Sequence, residues 1–292
     1  MSIKSILVVL SREGDPSRVL RRAAMLARRF NARVDVFLCE AEAAYELQHQ
    51  YDVCGMDAVR RSSLANLRAW MDRLWVSLDI HDVSTTMEVV YETPLYEAVR
   101  RKVERSKPDL VVRGIGAGAA CTFSVSDSDL VRTCPAPLLL TRGRPWKSKP
   151  AVAAAVDISG DESPELIRTV LLAAEGISGC CGASLEVLYA ARFDNALPDA
   201  TRSCRDLLVS RTAAANVHPS EVHIISGDPV TAIPEFVAGR SYEVLVLGAL
   251  THRKAMTALV GTLTARLIET PLDCDLLLVK PSAAVAVTAV SA

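Results

Sequence analysis

Residues 242–281 constrain the fold most, because two short apolar runs stand close together there. Residues 244–247 are all apolar, too few for a helix and followed by Gly248, so they predict a fully buried parallel strand that ends in a loop. Residues 275–279 predict a second strand of the same kind. Strands buried on both faces need helices on both faces, so this stretch predicts an α/β fold.

The segment between these strands has the features of a ligand cradle. Gly261 and Thr262 precede a helical pattern whose apolar positions share one face, namely Leu263, Leu267 and Ile268. A glycine at a strand end lets backbone approach a ligand, and the start of a helix offers unpaired N–H groups and the positive end of its dipole. These properties are typical of a phosphate site.

Strands and helices alternate through the first half of the chain. The predicted strands are residues 5–10, 34–39, 87–91, 109–112 and 137–141. Asp15-Pro16 and Thr93-Pro94 predict the starts of two helices, a longer helical stretch covers residues 41–79, and residues 127–133 form a short helix. The alternation predicts a parallel sheet with helices on both faces.

The same order starts again after a basic, proline-rich linker at residues 143–150. Residues 152–156, 185–190 and 222–226 predict three strands, and the strands of the 242–281 stretch complete a set of five. Ser163-Pro164 and Asp228-Pro229 predict helix starts.

The two halves therefore form an internal repeat of domain size. Its best anchors pair Thr93-Pro94 with Asp228-Pro229 and Asp109 with Glu243, each acid standing directly before a run of leucine and valine. We predict domains at residues 1–143 and 151–281, followed by a tail of small residues at 282–292 with little regular structure.

Composition narrows the functional classes. The 292 residues carry a net charge of −1, which gives no general reason to expect nucleic acid or an anionic membrane as a partner. No leader-like segment begins the sequence and no apolar run reaches about eighteen residues, so we expect a cytoplasmic protein. The eight cysteines include no Cys-x-x-Cys pair, which favours buried free thiols over disulfides or metal.

The spacing in the cradle resembles the nucleotide loop of the universal stress protein family. That loop has a glycine, two residues, a second glycine, nine residues, then glycine and Ser or Thr; here the corresponding residues are Gly248, Thr251, Gly261 and Thr262. The tandem layout covers residues 4–281. The long helical stretch, residues 132–137 and Trp146 look most like the E-type tandem subgroup.

The resemblance implies two doubly wound, five-stranded parallel domains, a fold shared with adenine nucleotide alpha hydrolases, packed as a pseudo-dimer through their last strands. It also implies a site for ATP in the second half alone. There Asp157 would contact the adenine edge, and the base pocket and the ribose and phosphate contacts would come from Ala190, Leu247, Gly248, Thr251, Gly261 and Thr262. No metal is predicted.

Two features weaken this implied site. If the family's second glycine has positive φ, Thr251 costs on the order of 1–2 kcal/mol there. Asp157 is also compatible with an exposed strand-end carboxylate, and the basic run His252, Arg253 and Lys254 with either a phosphate contact or a solvated turn.

The first half lacks the corresponding residues. Ser11 stands where the family has aspartate, Ser124-Val125 replaces the Gly-Ser/Thr pair, and the glycines at 114, 116 and 118 are too closely spaced. We therefore expect this half to be structural.

Two functions remain open at this stage. The first is a stress-response binding protein that holds ATP weakly in its second half, with at most slow hydrolysis, because no general base or magnesium carboxylate set is apparent. The second is a scaffold that works through protein contacts or a hydrophobic ligand. An adenylating enzyme would need a further acceptor domain. His218 and His223 have no cysteine at ligand spacing, which favours structural roles.

Overall fold

The chain forms two compact units, residues 2–145 and residues 146–292, in a computed structural model. The structure describes residues 2–12, 14–40, 53–78, 80–115, 125–192, 198–249, 263, 266–267, 270 and 272–281. None of the described helices is both long and apolar enough to cross a membrane.

The first unit is a five-stranded parallel sheet with helices between its strands. Its strands are β1 (Ser5–Leu10), β2 (Arg33–Cys39), β3 (Thr85–Val90), β4 (Leu110–Gly114) and β5 (Leu138–Thr141). Its helices are α1 (Pro16–Phe30), α2 (Val53–Ser77), α3 (Leu95–Ser106) and α4 (Val125–Thr133). The strand order is β3-β2-β1-β4-β5, so the order reverses between β1 and β4.

The second unit repeats this topology. Its strands are β6 (Ala151–Ala155), β7 (Ser184–Ala191), β8 (Glu221–Ser226), β9 (Val244–Gly248) and β10 (Asp275–Val279), and its helices are α5 (Pro164–Cys181), α6 (Pro198–Ala214) and α7 (Pro229–Ala238). The parallel order is β8-β7-β6-β9-β10, with the reversal between β6 and β9. The predicted pair of doubly wound sheets is confirmed, while the pseudo-dimer packing and the predicted domain boundaries stay predictions.

The repeat extends to individual hydrogen bonds at the starts of the central strands. The Asp109 carboxylate accepts from the backbone N–H groups of Lys4 and Ser5, at 2.8 and 2.9 Å. The Glu243 carboxylate accepts from the N–H of Ala151 at 2.6 Å. Each acid thus satisfies backbone donors at the amino edge of its sheet, so the two residues paired in the sequence repeat have equivalent roles.

Three of the four predicted helix starts have the expected capping bond. The side chains of Asp15, Ser163 and Asp228 accept from backbone N–H groups in the first turns of α1, α5 and α7, at 3.1, 3.2 and 3.1 Å. The helix start predicted at Thr93-Pro94 is also found, since α3 begins at Leu95, but it has no side-chain cap. Pro94 itself holds the N-cap position of α3 and makes no side-chain bond there, since proline offers no acceptor.

Among the helices that the structure describes, α6 was not predicted from the sequence. Leu208 and Thr212 are its buried residues, while Leu207 and Val209 beside them are 40% and 48% exposed. Apolar side chains thus stand on both the buried and the solvent side, and no apolar stripe marks the helix in the sequence. Of the helical stretch predicted at 41–79, residues 53–77 form α2, and residues 41–52 lie outside the described residues.

Cys39 illustrates the expected protonated thiol. Burial raises its pKa to about 11, more than the hydrogen bond to the Glu92 carbonyl at 3.2 Å lowers it. A thiol whose pKa lies well above physiological pH stays protonated, and a protonated thiol is a poor nucleophile and a poor metal ligand. This agrees with a structural reading of that residue.

Candidate functional site

The carboxyl ends of β6 and β9 are the point where the second sheet reverses its strand order, which is where doubly wound sheets bind ligands. Asp157 follows β6 by two residues and Gly248 is the last residue of β9. The pairing of Ala155 with Leu247 brings the two strand ends level. Two predicted site residues therefore lie at the same edge of the sheet.

The predicted base-pocket residues lie beside them. Ala190 is near the carboxyl end of β7, which pairs with β6, and is 5% exposed. Leu247 in β9 is 4% exposed. The remaining predicted contacts, Thr251, Gly261 and Thr262, lie outside the described residues.

Asp157 has one oxygen engaged in its own loop. Its Oδ1 atom accepts from the N–H of Ser159 at 2.8 Å, which fixes the turn after β6. Among the residues that the structure describes, its Oδ2 atom accepts no hydrogen bond. The half-buried carboxylate can therefore take a donor such as an exocyclic amine.

Glu162 is a second carboxyl group at this edge, and the sequence reasoning missed it. Its Oε2 atom accepts from the backbone N–H of Asp157 at 3.2 Å. Its Oε1 atom lies 3.2 Å from the position that a Cβ atom on Gly248 would take. Burial raises the pKa of Glu162 to about 7, the negative charge of Asp157 raises it further, and the hydrogen bond from the Asp157 N–H acts in the opposite direction.

Gly248 is required by packing against α5. A Cβ atom there would lie 2.9 Å from Leu166 Cδ2 in the first turn of that helix. Gly114 at the end of β4 occupies the equivalent place, where a Cβ atom would lie 2.5 Å from Val19 Cγ2 of α1. Because both units need this glycine, its presence is explained by helix–sheet contact without a ligand.

The comparisons with known proteins agree with this topology. No family model matches the chain. A universal stress protein E homolog from Haemophilus influenzae is 25% identical over 97% of this chain and 99% of its own. Universal stress protein E from Escherichia coli K12 is 23% identical over 95% of this chain and 94% of its own. The chain is therefore similar over nearly its whole length to universal stress proteins of the E type.

Solved structures share its fold. A universal stress protein from Archaeoglobus fulgidus has a TM-score of 0.72 at 12% identity and covers 96% of this chain and 100% of its own. A functionally unknown protein from Pseudomonas aeruginosa PAO1 has a TM-score of 0.70 at 20% identity, covering 96% and 94%. Each of these structures covers both repeated units of this chain.

The corresponding edge of the first unit carries different residues. Ser11, directly after β1, offers a hydroxyl where the second unit offers the Asp157 carboxylate. Gly114 ends β4 as Gly248 ends β9, an equivalence that the close glycine spacing of the sequence obscured. Val125 begins α4, while Ser124, Gly116 and Gly118 lie outside the described residues.

A polar cluster lies at the amino ends of the second unit's strands, opposite the candidate site. His223 Nε2 lies 2.8 Å from Glu186 Oε2 and 3.2 Å from Glu221 Oε2. The Tyr242 hydroxyl donates to the same Glu186 oxygen at 2.6 Å, and burial, with this bond, raises the pKa of Tyr242. The three ligand atoms could hold a metal ion, but Arg240, 4.0 Å from Glu186 Oε2, competes for that oxygen.

Proposed function

We propose that this universal stress protein is a binding protein of the stress response, and that its second unit binds an adenine nucleotide such as ATP at the β6–β9 edge. The observation that carries the proposal is the Asp157 carboxylate beside Gly248 at the strand reversal, with Oδ2 open to a donor. The first unit has a hydroxyl in place of that carboxylate, so we assign it a supporting role.

The chemistry of recognition is divided between two ends of the ligand. The Asp157 carboxylate would accept from the adenine amine, and Ala190 and Leu247 would contact the base. The phosphates would be held by the loop that contains Thr251, Gly261 and Thr262, as the family resemblance implies. If Thr251 needs positive φ, binding is weaker by about tenfold for each 1.4 kcal/mol of strain.

Replacing Asp157 by alanine is expected to weaken ATP binding at least about tenfold, because a hydrogen bond to a charged group contributes roughly 1.5–3 kcal/mol. Isothermal titration calorimetry of the full chain measures the affinity. Ser11→Ala in the first unit is the matched control and should leave it unchanged. Gly261→Val should also weaken binding, by obstructing the approach of phosphate to the backbone.

A second function is favoured by the packing role of Gly248. Since Gly114 makes the same contact in a unit without the aspartate, the strand-end glycine is compatible with a scaffold that binds no nucleotide and acts through protein contacts or a hydrophobic ligand. The same titration separates the two. No heat with wild-type protein at millimolar ATP would replace the nucleotide proposal with the scaffold.

A further inference from the structure

The side chain of Glu162 stands inside the proposed site. It belongs to the loop between β6 and α5, it contacts the backbone N–H of Asp157, and it reaches the end of β9 at Gly248. It thus bridges the two strand ends at which the sheet reverses its order. The family resemblance assigns ribose and phosphate contacts to a set of residues that includes Gly248, so a nucleotide bound at this edge would bring its anionic part toward the Glu162 carboxyl group.

We propose that Glu162 gates this site by its protonation state: the neutral acid admits a nucleotide phosphate, and the carboxylate repels it. This inference rests on the proposed nucleotide site and adds its regulation by pH. Two carboxylates on one loop would put two negative charges beside an anionic ligand, whereas a protonated Glu162 leaves one and can itself donate a hydrogen bond.

Burial is what brings the protonation of Glu162 into the physiological range. Its pKa is raised to about 7, mainly by desolvation, with the Asp157 charge acting in the same direction. Among the described residues, Asp157 is the charge that acts on Glu162. The acid is therefore mostly neutral at pH 6 and mostly ionised at pH 8.

The elements around Glu162 carry the following apolar, titratable and charged groups. Leu166 of α5 and Gly248 of β9 are apolar. Tyr189 of β7 remains neutral, because burial, followed by the charge of Asp157, raises its pKa to about 12. The Cys204 thiol of α6 and the charge of Asp161 also raise this pKa, and Arg192 lowers it. Arg192 lies 3.6 Å from Asp228, and Lys280 follows β10 at the same edge.

Cyclic adenosine monophosphate is the suitable probe for this gate. A phosphate monoester has a second ionisation near pH 6, which would confuse the titration of Glu162 with that of the ligand. A cyclic phosphodiester lacks that ionisation and keeps a single negative charge. Adenosine provides a neutral ligand with the same base.

Calorimetric titration of the full chain is expected to give about tenfold weaker binding of the cyclic nucleotide at pH 8 than at pH 6. If only the neutral acid binds, the apparent dissociation constant equals the intrinsic constant divided by the neutral fraction of Glu162. For a pKa of about 7 this fraction falls about tenfold from pH 6 to pH 8. Adenosine should bind alike at both pH values. Glu162→Gln should bind the cyclic nucleotide with its pH 6 affinity at both.

Glu165→Gln is the matched control, because Glu165 is an exposed acid three residues away in the first turn of α5. This variant should keep the tenfold pH dependence. Binding that is equal at the two pH values in the wild type, or a pH dependence that persists in Glu162→Gln, would overturn the gate and leave the nucleotide site standing. No binding at either pH in either protein would overturn both.

The folded protein offers a readout without ligand. The raised pKa means that protonation of Glu162 favours the native state, so its contribution is complete below an unfolded pKa near 4.5 and is lost as the pH rises through about 7. The midpoint of urea unfolding should accordingly fall between pH 5 and pH 8 more in the wild type than in Glu162→Gln. If the midpoint of urea unfolding changed equally with pH in the two proteins, Glu162 would not be buried as the gate requires.

Discussion

Replacing Asp127 by asparagine is expected to lower the free energy of unfolding of the first unit by about 3–5 kcal/mol. Asp127 in α4 accepts from Arg113 Nε in β4 at 3.0 Å, and the side chains of the two residues are 5% and 10% exposed. Asparagine removes the negative charge and leaves the guanidinium group buried. Because desolvating an unpaired charge is costly, the loss should far exceed that of a surface ion pair.

Two variants distinguish this burial effect from a general loss of charge. Arg113→Met combined with Asp127→Leu removes both charges together and should be much less destabilising than Asp127→Asn alone. Glu104→Gln breaks the exposed pair of Arg100 and Glu104 and should cost under about 0.5 kcal/mol. Urea unfolding followed by circular dichroism measures all three. An Asp127→Asn loss as small as that of Glu104→Gln would contradict the prediction.

Local sequence signals were enough for most of the fold. Strands such as β9 are short apolar runs between breakers, and the capping bonds of Asp15, Ser163 and Asp228 depend on residues at most three positions away. The pairing of Asp109 with Glu243 could be predicted because the repeat presents the same order twice. Such features are determined by neighbours in the chain.

Features that depend on tertiary contacts were not predictable in this way. The Arg113–Asp127 pair joins a strand to a helix, and neither residue stands out in its own segment. The helix α6 lacks an apolar stripe, since exposed leucine and valine flank its buried face. Periodicity carries no information about either arrangement.

In the candidate site, too, features set by neighbours in the chain were predictable and features set by tertiary contacts were not. Asp157 and Gly248 were predicted at the sheet edge from their places after apolar runs, and the structure puts them there. Glu162 precedes a helix cap and looks like an ordinary loop acid until its burial and its position near Gly248 are seen. The packing of Gly248 against Leu166 likewise appears only when α5 is placed on the sheet.

The packing of Leu166 against Gly248 predicts that substitutions at either residue lower the free energy of unfolding, and that the two losses partly cancel when combined. Leu166 is 1% exposed, so Leu166→Ala should lower the free energy of unfolding by about 2–5 kcal/mol through lost burial and the cavity it leaves. Gly248→Ala should cost about 1–3 kcal/mol, because its Cβ atom would lie 2.9 Å from Leu166 Cδ2. The φ angle of Gly248 lies outside the left-handed region, so the steric contact dominates.

The double variant tests whether one contact causes both effects. Alanine at position 166 removes the atom that the new methyl group meets, and the methyl fills part of the cavity. The combined loss should therefore be smaller than the sum of the single losses by about 0.5–3 kcal/mol, as measured by urea unfolding. Gly114→Ala with Val19→Ala gives the corresponding cycle in the first unit, where an added Cβ atom would lie 2.5 Å from Val19 Cγ2. Strict additivity in both cycles would show that the strand-end glycines serve something other than helix packing, and would strengthen the case for a ligand at position 248.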